Sequence, residues 1–428
     1  MRLAILMLCL FGSGLAHAQR YDSLKIMHYN ILYYGEYTSF CTTSNNHVSD
    51  KDGYLKTIIG HSLPDIFTVN ELGSTAVYAD RILINTLNVD GRDYYERADN
   101  SGSSSSNLVN MLYYNTEKLA LRGQSAISKS IGGQNLIRVI DHYELYVNDP
   151  ELANHQDTNF IHVFVAHLAA SDAGMRFLQT EATMDYIAAN DLRGNVILVG
   201  DLNIKNSGVS EFQELVDYSN PDFNFVDPAD ALGNWYSSSS FKSVHTQSTH
   251  TSSNCYAGGG MDDRFDFALM NKSLESGTLG TKYIPNSYFT LGQDGQRLNQ
   301  SLISPLNSSA PADVIQALYD MSDHLPVGFE FEVEIPEPEF TDEESEIKFK
   351  FNNPVFDHLG LDLRWSKAGN VQLKLLDLEG KILVDKKLEL EAGESIHLID
   401  VSGLSKGSYL MEISRKGAVL QREMVVKL

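Results

Sequence analysis

The sequence predicts an α/β protein: a four-layer sandwich of two mostly antiparallel sheets flanked by helices, followed by a small C-terminal β-sandwich. Three observations predict it. Short apolar runs rich in β-branched and aromatic residues outnumber helix-period patterns through most of the chain. Many of these runs are apolar at every position, as strands covered on both faces are, and two packed sheets with outer helices suit them better than a doubly wound parallel sheet. Past an acidic, Pro-containing stretch, the remaining segments are strand-like only.

The elements follow in order. Residues 1–18 read as a secretory signal, with Arg2 as the basic start, Leu3 to Phe11 as the apolar run and Ala16-His17-Ala18 as a small-residue cleavage site before Gln19. No later stretch is long and apolar enough to span a membrane. A large domain is expected over 19–334, with strands at Leu24–Tyr29, Ile66–Val69, Leu108–Tyr114, Ile161–Ala166, Val196–Val199, Phe265–Met270 and Val327–Phe331. Helices are expected at Tyr54–His61, Ala173–Ala189 and Val209–Tyr218. Ser101–Ser106 and Ser237–Ser240 read as surface loops, and the polar Phe241–Gly260 stretch as a flexible surface excursion, with substrate contact as its second reading. Residues 335–346, IPEPEFTDEESE, have the composition of an extended, solvated linker. Residues 347–428 form the small β-sandwich, with turns at Glu379-Gly380 and Lys406-Gly407.

The 428 residues carry a formal net charge of −23, nearly all of it placed before the linker. Such a field repels polyanions at long range and excludes tight, non-specific duplex binding through counterion release. It leaves room for a phosphate ester held by a divalent ion, which reverses the local potential. Cys9 leaves with the signal, so the mature chain keeps Cys41 and Cys255, either as one disulfide or as two free thiols.

Four of the expected strands end in polar residues: Asn30, Glu71, His167, and Asp201 with Asn203. Asp266 sits near the start of a later strand and Asp323-His324 just before another, which in antiparallel neighbours is the same edge. One rim therefore gathers carboxylates, amides and imidazoles. Mg²⁺ binds through one or two carboxylates plus water and substrate oxygens, so Glu71 aided by Asn30 suffices, whereas zinc would ask for His or Cys sets, and neither HExxH nor CxxC occurs. Asp201 and Asn203, two apart, face the same way in an extended segment, so the carboxylate can handle an attacking water while the amide holds that water or a phosphate oxygen. His167 and His324 can donate to charge developing on phosphoryl oxygens, and Asp266 can orient a histidine.

His28-Tyr-Asn30, Val69-Asn-Glu71, Val165-Ala-His167-Leu, Val199-Gly-Asp201-Leu-Asn203, Arg264-Phe-Asp266-Phe and Ser322-Asp323-His324-Leu-Pro-Val327 resemble, in order, the motifs of the endonuclease/exonuclease/phosphatase superfamily. The resemblance covers roughly 21–333 and lies in the ordered set. It implies that Asn30 and Glu71 are metal-site residues, that His167 and His324 contact phosphate, and that Asp201 and Asn203 align the water. It also implies that Asp266 partners His324 and that Asp323 supports the histidine or the metal. Arg176 and Arg138 match less sharply as phosphate contacts and rank as structural first. Tyr29 stands where many members have tryptophan, and Asn70 where glutamine is common, which bears on fine positioning rather than on the metal carboxylate.

The tail, with Phe351-Asn-Asn-Pro354, Leu376-Asp-Leu-Glu-Gly380-Lys and Gly407-Ser-Tyr409-Leu, resembles a type IX secretion sorting domain; the other reading is a carbohydrate-binding accessory module. Together these resemblances imply a secreted or surface-held phosphoesterase dependent on Mg²⁺, or on Mn²⁺ or Ca²⁺. Nucleic acid is the leading substrate and the type IX secretion machinery a partner. Phosphomonoesterase and sphingomyelinase-like activities stay open, as does an inactive surface-binding protein, which predicts loss of the metal and water-positioning residues.

Overall fold

The computed structural model describes residues 20–101, 107–149, 158–335, 348–365, 369–390 and 393–428. The expected signal, most of Ser101–Ser106 and nearly all of the expected linker lie outside the described residues. The chain divides into two compact units, Met1–Glu337 and Pro338–Leu428.

The first unit contains strands β1 (Arg20–Tyr34), β2 (Ile66–Gly73), β3 (Tyr95–Arg97), β4 (Leu108–Asn115), β5 (Leu119–Lys129), β6 (Asn135–Val147) and β7 (Phe160–His167), then β8 (Val196–Asp201), β9 (Phe225–Val226), β10 (Asp266–Asn271), β11 (Thr281–Tyr283), β12 (Phe289–Thr290) and β13 (Val327–Ile335). Its helices are α1 (Val48–Ser62), α2 (Ala76–Ile82), α3 (Ala173–Ala189), α4 (Ser210–Val216), α5 (Lys272–Ser276) and α6 (Ala312–Met321). One sheet runs β11-β13-β1-β2-β4-β3, with β12 also on β13; the other runs β5-β6-β7-β8-β10-β9. Among the described strands of this unit, only β1–β2 and β7–β8 pair in parallel. The sheets pack face to face through β1, β2 and β4 against β7, β8 and β10. Leu55, Ile58 and Leu318 of α1 and α6 share one core with the first sheet. Ile187 and Phe212 of α3 and α4 share another with Phe164, Leu198 and Phe267 of the second. The result is helix, sheet, sheet, helix, the four-layer sandwich with mostly antiparallel sheets.

Local chemistry explains the elements. Every residue of β8 and β10 is buried, which is why both read as unbroken apolar runs. Helix α3 starts where Asp172 Oδ1 accepts from Met175 N at 3.0 Å, a side-chain cap for an otherwise unpaired donor. Among the described residues, no helix is long and apolar enough to cross a membrane.

Two features differ from the sequence expectation. β5, β6 and α6 lie where no element was expected. The Phe241–Gly260 stretch is irregular, yet Val244, His245, Thr246, Ser248, Thr249 and His250 are buried, so it reaches the surface only in part, with residues 251–254 exposed. Its polar groups are paired inside the protein: Thr246 Oγ1 accepts from Phe265 N and Asp266 N, and Thr249 Oγ1 donates to Ser322 O. Buried polar chain is tolerated on those terms.

The second unit packs a three-stranded sheet, β14 (Lys348–Phe351), β15 (His358–Trp365) and β18 (Gly393–Asp400), with a four-stranded one, β16 (Gly369–Leu376), β17 (Ile382–Leu390), β19 (Gly407–Arg415) and β20 (Ala418–Lys427). Alternate residues Leu359, Leu361 and Leu363 meet Leu373, Leu375, Met411 and Ile413 in its core, the period-two pattern of a β-sandwich.

Candidate active site

The strands that carry the polar rim are locally irregular where its residues begin. Pairing of β1 with β2 shifts register between Asn30 and Tyr34, and pairing of β2 with β4 shifts between Val69 and Leu72. Leu32, Tyr33, Glu71 and Asn203 all have φ between 44° and 61°, the left-handed region that non-glycine residues seldom occupy. Bulges of this kind re-aim side chains at sheet ends, and their cost marks a constrained site. The aim is mutual: Asn30 Nδ2 donates to Glu71 Oε1 at 3.4 Å and to Asp201 Oδ2 at 3.1 Å, while Tyr33 N donates to Glu71 Oε2 at 3.1 Å.

The second sheet supplies the facing half. His167 and Asp201 are register partners at the ends of β7 and β8, and Asp266 opposes Asp201 across β10 and β8. His167 Nε2 lies 3.6 Å from Asp201 Oδ2 and 3.8 Å from Glu71 Oε1. His324, three residues before the start of β13, places Nε2 3.8 Å from Asp201 Oδ2 and donates from Nδ1 to Asp266 Oδ2 at 2.7 Å. Asn203 N donates to Asp201 Oδ1 at 3.0 Å and its Nδ2 to Leu168 O at 3.1 Å. Asp323 Oδ2 accepts from Ala257 N at 2.8 Å and from Gln247 Nε2 at 3.2 Å, whereas Oδ1 is buried with no hydrogen-bond partner among the described residues.

The cluster is electrostatically divided. Burial pushes Asp201 up to about 7; His324 opposes this, and the charges of Asp266 and Glu71 add to it. Burial, then Asp323, also raises Glu71. His324 would be lowered by burial, but Asp266, Asp201 and Asp323 outweigh it and hold the imidazole well above its ordinary value. His167 is driven well below its ordinary value by burial, with Arg138, His324 and His28 adding, so it is neutral. Two histidines shifted in opposite directions, beside a carboxyl raised to about 7, form a set able to hold and move protons at one centre.

The arginines separate. Arg138 donates to Leu168 O at 2.8 Å, and its charge acts on both His167 and Glu71, so it faces the cluster. Arg176 is engaged within the protein: its guanidinium is held by Glu211 Oε1 at 3.0 Å and by the carbonyls of Ala169 and Ala170. Glu211 is buried, and a buried carboxylate requires such a partner.

Two residues of the site, Gln247 and Lys51, went unread in the sequence, and two more, Asn70 and Ser322, were named there only within motifs, with no contact assigned to them. The Gln247 side-chain amide lies 2.8 Å from His324 Nε2 and donates to Asp323 Oδ2 at 3.2 Å. Asn70 Oδ1 accepts from Asp201 N at 2.9 Å. Ser322 Oγ donates to Asn30 O at 2.7 Å and accepts from His324 N at 3.1 Å, tying the two ends of the motif set together. Buried Lys51 donates from α1 to the carbonyls of Ile31 and Leu32. Asn70 and Ser322 carried a signal, their places directly ahead of Glu71 and of Asp323-His324. The cysteines form a disulfide, Cys41–Cys255, with Cα atoms 4.4 Å apart.

The residues fit a hard divalent cation. Among the described residues, no group of three or more His, Cys, Asp or Glu forms a ready metal cage. The unpartnered Asp323 oxygen and the mutually repelling Glu71 and Asp323 carboxylates instead suit an ion that takes few protein oxygens and keeps its water.

Residues 351–427 match the secretion system C-terminal sorting domain, which marks the protein for export to the cell surface or beyond. No curated protein sequence matches the chain. Among solved structures, an endonuclease/exonuclease/phosphatase family protein from Bacteroides thetaiotaomicron is 12% identical, with a TM-score of 0.48 over 76% of this chain and 100% of that one. A mannosyl-6-phosphatase from the same organism is 12% identical, with a TM-score of 0.47 over 72% and 99%. The human Nocturnin catalytic domain with bound sulfate is 12% identical, with a TM-score of 0.44 over 73% and 96%.

Proposed function

We propose that the protein is an exported, divalent-metal-dependent phosphoesterase that hydrolyses phosphodiester bonds, with extracellular nucleic acid as its substrate. The observation that supports this most is the meeting, within hydrogen-bond or ion-pair reach, of Asn30, Glu71, His167, Asp201 and His324 from five separate points of the chain. In this reading Asp201 takes a proton from the attacking water, held in place by the backbone N–H of Asn203. The water oxygen bonds to phosphorus as the ester P–O bond breaks. His324, held by Asp266 and protonated, donates to a phosphoryl oxygen, and neutral His167 donates to another. Glu71 and Asp323, with Asn30, would hold the cation, whose chemistry is to polarise the phosphoryl group and support the leaving oxygen. Lys205, two residues after Asn203, places Nζ 4.4 Å from the ring centre of half-exposed Tyr236, a cation and an aromatic face of the kind that nucleotides use.

The test is hydrolysis of plasmid DNA, RNA, sphingomyelin and bis-p-nitrophenyl phosphate, with and without EDTA. Activity on DNA or RNA, abolished by the chelator, is expected. Asp201→Ala and His324→Ala should each lower kcat by about 10²–10⁴ with the fold intact. Cleavage of sphingomyelin alone would overturn the substrate, turnover unaffected by EDTA the metal, and no hydrolysis of any of the four the enzymatic reading itself.

A further inference from the structure

A row of hydrogen bonds crosses the interior of the sandwich and ends on the backbone of Asp201. Asn70 on β2 and Asn110 on β4 are 0% and 6% exposed, in a core otherwise made of residues such as Val69, Met111, Val165 and Val199. Asp201 N donates to Asn70 Oδ1 at 2.9 Å; Asn70 Nδ2 donates to Asn110 Oδ1 at 2.7 Å; Asn110 Nδ2 donates to Asp141 Oδ2 at 2.8 Å. The same Asn110 nitrogen lies 3.2 Å from Val165 O and 3.3 Å from Val139 O, so the amide is pinned to three strands of the second sheet, β6 through Asp141 and Val139 and β7 through Val165, and beyond Asn70 to β8. Every donor in the row points the same way and the last acceptor is a carboxylate that is 1% exposed. Bonds aligned head to tail polarise one another, most strongly where water is absent.

Hydrocarbon of equal volume would pack the two sheets together at lower desolvation cost. It would leave their relative register free to adjust, and it would hold no N–H in place. The row does both at the strand end that carries the carboxylate of the site.

We propose that Asp141 and Asn110, acting through Asn70, are positioning residues for Asp201. They fix its backbone amide, and with it the carboxylate that faces His167, His324 and Asn30. The catalytic part of this assignment rests on the function proposed above. The structural part, a relay that immobilises the Asp201 amide, does not.

Two measurements on the full-length protein test it. Asn110→Ala and Asp141→Ala, neither of which alters a residue of the active-site cluster, should each lower kcat on bis-p-nitrophenyl phosphate ten- to hundredfold with KM within twofold. The double variant should fall no more than threefold below the worse single, because the row acts as one unit. Asp141→Asn, which keeps a carbonyl acceptor at the same place, should recover kcat to within fivefold of the parent. By NMR-detected hydrogen exchange, the Asp201 amide should exchange at least tenfold faster in both alanine variants, a local effect that uniform destabilisation would not confine to this amide. If the alanine variants do not fold, Asn110→Leu combined with Asp141→Leu removes two partners together and carries the same criteria. A kcat within twofold of the parent, or an Asp201 amide exchanging at its original rate, would overturn the relay. An inactive parent whose variants lose Asp201 protection would overturn the proposed function and leave the relay standing.

Discussion

Lys51 is a lysine with 1% of its surface exposed, an unusual place for a strongly hydrated cation. Burial pushes it down to about 7, against the pull of Glu71 and Asp323, which raise it. It donates to Ile31 O at 2.8 Å and to Leu32 O, the carbonyls freed where β1 leaves its register with β2. The bulge that turns Tyr33 N toward Glu71 therefore rests on a side chain from α1. Lys51→Met leaves both carbonyls buried without a donor and should destabilise the protein by about 2–4 kcal/mol, since each unpaired buried group costs about 1–3 kcal/mol. It should also lower turnover by loosening Glu71. Urea denaturation and kcat measured on one preparation check this; an unchanged midpoint would show that water replaces the ammonium. Lys51 also shows which residues were legible beforehand. Asn30, Glu71, Asp201 and His324 were legible because six short motifs occur in one order, although each alone reads as an ordinary strand exit or turn. Lys51 and Gln247 belong to types that normally face solvent, and only the tertiary arrangement brings them to the site.

At the scale of elements, β10 is held from its N-terminal side by a buried ion pair. Arg264, two residues before Asp266, donates from Nη1 and Nη2 to Asp227 Oδ2 and Oδ1 at 2.7 and 2.8 Å. Its guanidinium carbon lies 4.4 Å from the Phe267 ring centre. Burial alone would raise the Asp227 carboxyl, but the charge of Arg264 and its hydrogen bonds outweigh that and hold it below the usual carboxylate value. A folded-state value below the unfolded one means that the contribution is complete above the unfolded carboxylate pKa, about 3.9, and is lost as pH falls through the folded value. Asp227→Asn should cost about 3–5 kcal/mol at pH 7, because it leaves the guanidinium buried without its charge partner. The gap between parent and variant, followed by urea denaturation from pH 7 down to about 2, should narrow only below about pH 4. A gap that stays constant throughout that range would show that the pair contributes no linked proton. The element order was largely legible because the central strands are apolar at every position. β5 was not, since nine of its eleven residues are partly or fully exposed on this edge strand and most are polar or small. α6 was present in the spacing of Val314, Ile315, Leu318 and Met321, one face of a helix, but its ten residues sit in a loop-like Ser/Pro setting.

For the whole molecule, the order of the motifs along the chain was legible, while the closeness of their loops was not, because no local pattern encodes a contact across hundreds of residues. The disulfide is the clearest case. Cys41 and Cys255 are 214 residues apart in polar sequence that suggested no distance between them, yet both are buried beside Leu32, Tyr33 and Tyr256 at the edge of the site. Export to an oxidising exterior, marked by the sorting domain, is the setting in which such a bond persists. Closing so long a loop restricts the unfolded chain, an effect worth roughly 5 kcal/mol on chain-entropy grounds. Ala257, two residues beyond Cys255, donates its N–H to Asp323, so the bond also steadies a carboxylate of the site. Replacing both cysteines by serine should therefore lower the urea midpoint and raise the Mg²⁺ concentration needed for half-maximal activity, and dithiothreitol should do the same to the parent but nothing to the variant. Equal midpoints and equal metal requirements in all four samples would mean that buried packing around Leu32 and Tyr256 holds these loops without the covalent link.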